Sequence, residues 1–186
     1  PATGLYRQDI LAWSIGNRAL EVADGFLATY RLWNLHAAAA LLRIQVDNVV
    51  RLCLLLRYGP WDTVENALLE GEPLHRVADP TRPEDGRARL NDTRLVELTR
   101  PYHPWLENVY QEASRWVHLS DRHHSTSFAL DEAGGFRGSV PIQPSQYAPE
   151  LLVDVLWAAK ATTETVADYL EARLVAPSDP VADLRR

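Results

Sequence analysis

The strongest constraint on the fold is the stretch from residue 35 to residue 58, which reads LHAAAALLRIQVDNVVRLCLLLRY. Alanine and leucine are strong helix formers, and the Gly59-Pro60 pair that follows is typical of a helix end. Apolar residues lie on most sides of this helix, as expected for a helix that is covered all round. We therefore predict a central, buried helix against which the rest of the chain packs.

Helical periodicity also marks other parts of the chain, and turn-forming residues separate them. Three more long helices are predicted over 5–32, 104–119 and 149–173, with shorter helices over 62–70 and 93–99. The turn-prone sequence DEAGG at 131–135 lies between two short apolar segments, which favours a β-hairpin or an irregular flap. The predicted fold is an all-α bundle of four long helices and one or two short ones, with this hairpin or flap after the third long helix.

The organisation predicted for the chain is one helical-bundle domain over 1–186, with two segments that stand apart. Residues 71–92 carry three prolines, two glycines and many charges, so we expect a long loop that acts as a lid or binds a partner. Residues 177–186 are expected to form a frayed, flexible tail.

Charge and hydropathy narrow the classes of function. The net charge of −6 argues against a broad nucleic-acid-binding surface, which is usually basic. The single cysteine, Cys53, excludes a disulfide within the chain and is interpreted as a small buried apolar residue. The start PATGLYRQDI lacks the pattern of a signal peptide, and charged residues interrupt each apolar segment, so a cytoplasmic protein without a membrane span is expected.

A cluster of titratable residues at the end of the third long helix is the first candidate site. The stretch SRWVHLSDRHHSTSF, 114–128, holds three of the six histidines, His118, His123 and His124. Their spacing does not place two imidazoles on one helical face, so a metal site there requires a loop to gather them. Ser114, His118 and Arg122 follow Tyr110 at steps of four, which indicates one stripe on which a histidine and arginines act on a phosphate. The alternative is a structural His118 that donates to the backbone near the helix end.

A polar row on the central helix is the second candidate. Arg43, Asp47 and Arg51 follow one another at steps of four on an otherwise apolar helix. Such charges need partners, and the row is either self-paired or completed by another acid or an anion. If it faces the third long helix, it lies near His118. The six tryptophans, by contrast, all have apolar neighbours and are predicted to pack in the core.

Two segments resemble a known group of proteins. YQEASRWVHLS, 110–120, resembles a Tyr-x-x-x-Ser-x-x-Val-His-x-Ser signature near a helix end in certain bacterial all-α families, and LLRIQVDNVVRL, 41–52, resembles their earlier helix. These families are similar to the HEPN superfamily (higher eukaryotes and prokaryotes nucleotide-binding domain). The superfamily consists of helical bundles, often homodimers, and many members are metal-independent ribonucleases whose motif is an arginine followed by a histidine after four to six residues. This chain has two residues between Arg115 and His118 and seven between Arg115 and His123, so its spacing departs from that motif.

The resemblance implies a protein that cleaves RNA, or binds RNA or a nucleotide, in a bacterial stress or phage-defence system. It also implies a homodimer, with no metal and no cofactor. The predicted catalytic residues are Ser114, Arg115, His118 and Arg122, and the predicted substrate-binding residues are Arg43, Asp47, Arg51, Tyr110, Ser120 and His123. Two alternatives stay open. One is a non-enzymatic, antitoxin-like or scaffold module that binds a protein partner, and the other is a metal-dependent helical enzyme that uses the region of His118, His123 and His124.

Overall fold

The computed structural model describes residues 7–59, 61–118, 128–130, 134–138 and 147–175. Over these ranges it confirms the all-α class. The helices are α1 (Arg7–Arg31), α2 (Leu35–Cys53), α3 (Asp62–Glu70), α4 (Asp92–Thr99), α5 (Leu106–Val117) and α6 (Pro149–Val175). A π-helical turn, Leu54–Tyr58, continues α2, and a 3₁₀ turn, Leu74–Arg76, follows α3. None of the described helices combines the length and the apolar character needed to cross a membrane.

Helix α2 lies at the centre of the molecule, as the sequence predicts. It packs against α1, α4, α5 and α6, and Val46, Val49, Leu52 and Cys53 are completely buried. Asn34 caps its first turn, because the Asn34 side chain accepts a hydrogen bond from the amide of Ala37 at 3.1 Å. This helix has apolar residues on nearly every side. They are removed from water only when other helices cover it on all sides.

The end of the central helix differs from the straight α-helix that the sequence predicts. Over Leu54–Tyr58 the backbone widens into a π-helical turn, which ends where the amide of Gly59 donates to the carbonyl of Leu54 at 3.1 Å. A Cβ on Gly59 would lie 2.6 Å from the carbonyl oxygen of Leu55, so the close backbone approach requires glycine. Turns of this type are rare and occur frequently at functional sites. The turn also sets the direction in which Arg57 and Tyr58 leave the helix.

The third long helix, predicted over 104–119, is shorter in the structure. Helix α5 has 12 residues and ends at Val117. Beyond it, the strands β1 (Phe128–Leu130) and β2 (Phe136–Gly138) pair antiparallel, with Phe128 opposite Gly138. They lie in the segment where a hairpin or flap is predicted, and both residues 131–133 and the predicted tail, 177–186, are outside the described residues.

The predicted loop 71–92 packs on the helices for much of its length. Gly71 ends α3 in the left-handed region, with φ of 74°, and α4 begins at Asp92. A backbone bridge joins Ala78 to Arg89 and closes the residues between them into a compact loop. Three apolar side chains anchor the segment in the core, namely Leu74, Val77 and Leu90.

The prediction that all six tryptophans pack in the core is wrong for two of them. Trp13 on α1 is 67% exposed and Trp157 on α6 is 56% exposed. Both lie on long helices whose opposite faces carry the core residues, so their rings remain in contact with water. Sequence neighbours do not reveal this, because a residue beside apolar residues in sequence need not share their helical face.

Candidate functional site

The predicted catalytic stripe on α5 does not extend to its histidine. His118 follows the last helical residue and has an extended backbone (φ −95°, ψ 145°), so its exposed side chain leaves the stripe that holds Tyr110 and Ser114. Its amide donates to the carbonyl of Ser114 at 3.1 Å. Arg115 donates to Glu112 at 2.9 Å, one turn back on the same helix. The other predicted residues of this cluster, Ser120, Arg122, His123 and His124, are outside the described residues.

The structure brings together three other predicted residues, Arg43, Ser114 and Tyr110. Arg43 Nε donates to Ser114 Oγ at 3.2 Å, and the guanidinium lies 4.3 Å from the centre of the Tyr110 ring. The same guanidinium forms an ion pair with Asp92 at the start of α4. Arg43 therefore joins α2, α4 and α5, and its charge is balanced by a protein carboxylate.

The remaining members of the polar row face α1. Asp47 Oδ2 accepts from Arg51 Nε at 2.8 Å and from Arg18 Nη1 at 3.0 Å. Burial by itself raises the pKa of Asp47, but hydrogen bonds and positive charge from Arg51 and Arg18 outweigh it and hold the pKa below its ordinary value. Arg18 and Asp92 are thus the additional partners of the polar row. Through these ion pairs the row links α2 to α1 and to α4.

A different polar cluster, absent from the sequence prediction, forms where the π-helical turn meets α4, α5 and α6. Its centre is a hydrogen bond of 3.0 Å between His103 Nε2 and Tyr169 Oη, with the two rings edge to face and their centres 5.5 Å apart. Tyr169 comes from α6 and is 5% exposed, whereas His103 is half-buried in the short connection between α4 and α5. The Arg57 guanidinium lies 5.6 Å from the centre of the Tyr169 ring and 5.2 Å from that of Tyr102.

The surroundings of His103 favour its neutral form. Burial lowers the pKa of His103, the positive charge of Arg57 lowers it further, and the carboxylate of Asp168 opposes both effects. Burial raises the pKa of Tyr169 far above its ordinary value, so the phenol keeps its proton. The described residues offer no hydrogen bond to Nδ1 of His103, while Nε2 is held by Tyr169. In the tautomer in which Nε2–H donates to Tyr169 Oη, Nδ1 of the neutral imidazole carries the lone pair and is available to accept a proton.

The thiol of Cys53 lies beneath this cluster and has a structural part in it. Burial raises the pKa of Cys53, while hydrogen bonds with Tyr169 and Thr99 act in the opposite direction with less effect. A completely buried, protonated thiol is neither a nucleophile nor a metal ligand. The prediction of a small buried residue at position 53 is confirmed.

Arg57 differs from the other arginines of the candidate regions. Arg18, Arg43, Arg51 and Arg115 each pair with a carboxylate, but Arg57 forms no ion pair within the described part of the chain. Its side chain is exposed and stacks on two tyrosine rings, which stabilise a guanidinium without neutralising it. An anion that paired with this guanidinium would therefore break no ion pair with a described residue.

Opposite changes in the pKa of His103 are expected when its two charged neighbours are removed. In Arg57→Gln the pKa should rise toward the ordinary value of about 6.5, because a repelling positive charge is lost. In Asp168→Asn it should fall further below that value, because the favourable negative charge is lost. NMR titration of the His103 ring protons measures both shifts. Arg100→Gln is the matched control, since Arg100 pairs with Glu107 at 2.9 Å, and equal shifts in all three variants would contradict this electrostatic picture.

Neither a metal-binding cluster nor a similar protein indicates which reaction this site supports. Among the residues that the structure describes, no three histidine, cysteine, aspartate or glutamate side chains are grouped closely enough to hold a metal ion. No protein-family model, no curated protein and no solved structure matches this chain.

Proposed function

We propose that the protein cleaves RNA without a metal, with His103 as the group that transfers the proton and Arg57 as the cation that binds the phosphate. The observation that carries this proposal is the 3.0 Å hydrogen bond between His103 and Tyr169 beside an exposed Arg57 that forms no ion pair with a described residue. The resemblance to the HEPN superfamily favours RNA as the substrate and a bacterial stress or phage-defence system as the cytoplasmic setting. The proposal moves the chemistry from His118 to a histidine that the fold holds in place.

The chemistry requires only the groups at this cluster and the substrate itself. His103 Nδ1 takes the proton of a ribose 2′-hydroxyl, the 2′-oxygen attacks the phosphorus, and the bond from phosphorus to the 5′-oxygen breaks. The products are a 2′,3′-cyclic phosphate and a 5′-hydroxyl, and the protonated imidazole returns its proton to the leaving oxygen. Arg57 stabilises the negative charge that develops on the phosphate oxygens.

Electrostatics limit the site to a short stretch of RNA. The net charge of −6 argues against a broad basic face, so we expect binding to rely on Arg57 and on contacts with the bases. Exposed Tyr102, whose ring lies beneath Arg57, is suited to stack on a base. We therefore expect weak binding with a shallow salt dependence, because one cation contacts the phosphate, and a preference for single-stranded substrates.

The test is incubation of the purified protein with mixed-sequence single-stranded RNA in excess EDTA. Fragments that end in 2′,3′-cyclic phosphate and 5′-hydroxyl are expected from the wild type and not from His103→Gln. Absence of cleavage by the wild type across varied RNAs, or equal cleavage by the variant, would show that this assignment is wrong.

A second candidate function, a self-associating interaction module, is favoured by the outer face of α1. Trp13, Leu20 and Leu27 recur every seven residues there and are 67%, 69% and 40% exposed. Apolar residues at this spacing are typical of helices that pair with another helix, and a second copy of the chain is the partner that the homodimer prediction supplies.

Light scattering distinguishes a dimer from a monomer. We expect the wild type at twice the monomer mass and the double variant Trp13→Glu, Leu20→Glu at the monomer mass, because two charges from each protomer would be buried at the interface. Val117→Glu, a substitution of another exposed apolar residue outside α1, is the matched control and should remain dimeric. A wild type that is monomeric at all concentrations would contradict the dimer.

A further inference from the structure

A cavity opens between α2, α5 and α6, and it borders the polar cluster at Trp105, whose ring centre lies 6.2 Å from that of His103. Its volume is about 400 Å³, which is within the range of sites for small molecules. The aromatic and polar side chains that line it are Trp105, Trp116, Trp157, Asn108, Glu112 and Asp154. Apolar residues of α2, α5 and α6 complete the lining.

Aromatic rings form the walls of this cavity. The rings of Trp105 and Trp157 meet at 76° with their centres 6.0 Å apart, which makes a corner of two different ring orientations. Trp157 is 56% exposed, an unusual state for a side chain whose burial is strongly favourable. Trp116 is buried and packs edge to face against His36, with ring centres 5.0 Å apart. The cavity therefore combines the buried ring of Trp116 with the paired rings of Trp105 and Trp157.

The charge of the cavity is negative. Glu112 and Asp154 both line it, and none of the described lining residues is basic. Glu112 is partly neutralised by Arg115 at 2.9 Å, whereas Asp154 forms no ion pair with a described residue. An anion such as a phosphate is repelled by this arrangement, and a cation is attracted.

We propose that this cavity binds an organic cation, an ammonium group that carries apolar substituents. The tryptophan faces attract the positive charge through their quadrupoles and cover the apolar substituents, while Asp154 supplies the opposite full charge. Indole rings with nearby carboxylates are the combination that recognises quaternary ammonium groups, because such groups have no hydrogen to donate. The proposal is independent of RNA cleavage, since it uses neither His103 nor Arg57.

Choline and its uncharged isostere 3,3-dimethylbutan-1-ol form a matched pair of probes for this cavity. Titration followed by tryptophan fluorescence is expected to show saturable binding of choline and at least about tenfold weaker binding of the isostere, since only the charge differs. Trp157→Leu and Asp154→Asn should each weaken choline binding by about tenfold. Glu171→Gln, an exposed carboxylate further along α6, is the matched control and should bind as the wild type does.

Folding of the variants is checked by circular dichroism, and both altered side chains are exposed, so the core stays intact. Ligand-detected NMR gives a second readout that does not depend on Trp157 fluorescence. Absence of saturable choline binding, equal binding of the isostere, or choline binding unaffected by Trp157→Leu and Asp154→Asn would each overturn the proposal.

Discussion

Replacement of His103 by glutamine is expected to lower metal-free RNA cleavage by about 10²- to 10⁴-fold, the usual contribution of a general acid–base group. Glutamine keeps a polar group of similar reach toward Tyr169 but cannot transfer a proton near neutral pH. His118→Gln is the decisive comparison, since the sequence alone favours His118. Its exposed side chain has no part in the cluster around Tyr169, so this variant is expected to cleave at close to the wild-type rate.

Two further variants separate proton transfer from positioning. Tyr169→Phe removes the hydroxyl that holds His103 Nε2, so we expect a smaller loss of rate than in His103→Gln. Arg57→Lys keeps the charge but loses the planar pair of donors, and it should retain more activity than Arg57→Gln. Thermal unfolding of each variant controls for misfolding. Normal cleavage by folded His103→Gln together with loss in His118→Gln would return the chemistry to the end of α5.

Acid dependence of the rate follows from the lowered pKa of His103. The imidazole acts as a base only when it is neutral. The rate of RNA cleavage should therefore stay constant around neutral pH and decrease in acid, with an apparent pKa below the ordinary value of about 6.5. Arg57→Gln should move this fall to higher pH, in the same direction as the NMR titration. A fall that stays at the same pH in Arg57→Gln would show that another group controls the rate.

Truncation of Asp79 is expected to destabilise the protein by about 3–5 kcal/mol, the usual cost of removing one partner of a buried ion pair. Asp79 is 3% exposed, and its Oδ2 accepts from Arg94 Nε at 2.7 Å. Its Oδ1 accepts from the amide and the hydroxyl of Thr81, at 2.9 and 2.6 Å. In Asp79→Ala the largely buried guanidinium of Arg94 loses its buried partner and keeps Glu97, at 3.0 Å, while two donors of Thr81 lose their acceptor.

Urea unfolding at neutral pH measures this loss. Asp85→Ala is the matched control from the same loop, because the exposed Asp85 side chain accepts from the amide of Arg87, at 3.0 Å, and from no other described residue. Its cost should stay within about 1 kcal/mol. The double variant Asp79→Ala, Arg94→Met should recover part of the loss, since the guanidinium that lost its buried partner is removed as well. Equal costs for Asp79→Ala and Asp85→Ala would contradict a structural role for this pair.

The same aspartate makes stability depend on pH. Burial alone raises the pKa of Asp79, but hydrogen bonds from Thr81 and Arg94 outweigh it and lower the pKa below its ordinary value. A carboxyl whose pKa is lower in the folded state stabilises that state fully above its unfolded pKa of about 3.9. This contribution disappears as the pH falls through the lowered folded-state pKa. The free energy of unfolding should therefore fall more steeply with acid in the wild type than in Asp79→Ala, and parallel curves would contradict this.

Much of the secondary structure is predictable from local sequence. Alanine and leucine content, together with Gly59-Pro60, predicts the central helix, and α1, α4 and α6 begin and end within a few residues of the predicted bounds. These features depend on interactions between residues at most four positions apart, which the sequence shows directly. The polar row of α2 is also visible in the sequence. Its partners, Arg18 and Asp92, are not, because each lies on another helix.

The candidate site depends on contacts that no local pattern displays. His103 and Tyr169 are 66 residues apart, and neither belongs to a periodic row with the other. Their contact requires the π-helical turn of α2, the short connection before α5 and the register of α6 to coincide. The sequence by itself determined which segments are helical and which helix is central, because the period of apolar residues sets both. Only tertiary packing decided which histidine is held beside an arginine and which tryptophans stay exposed, because the distances between helices are set by the packing of the whole core.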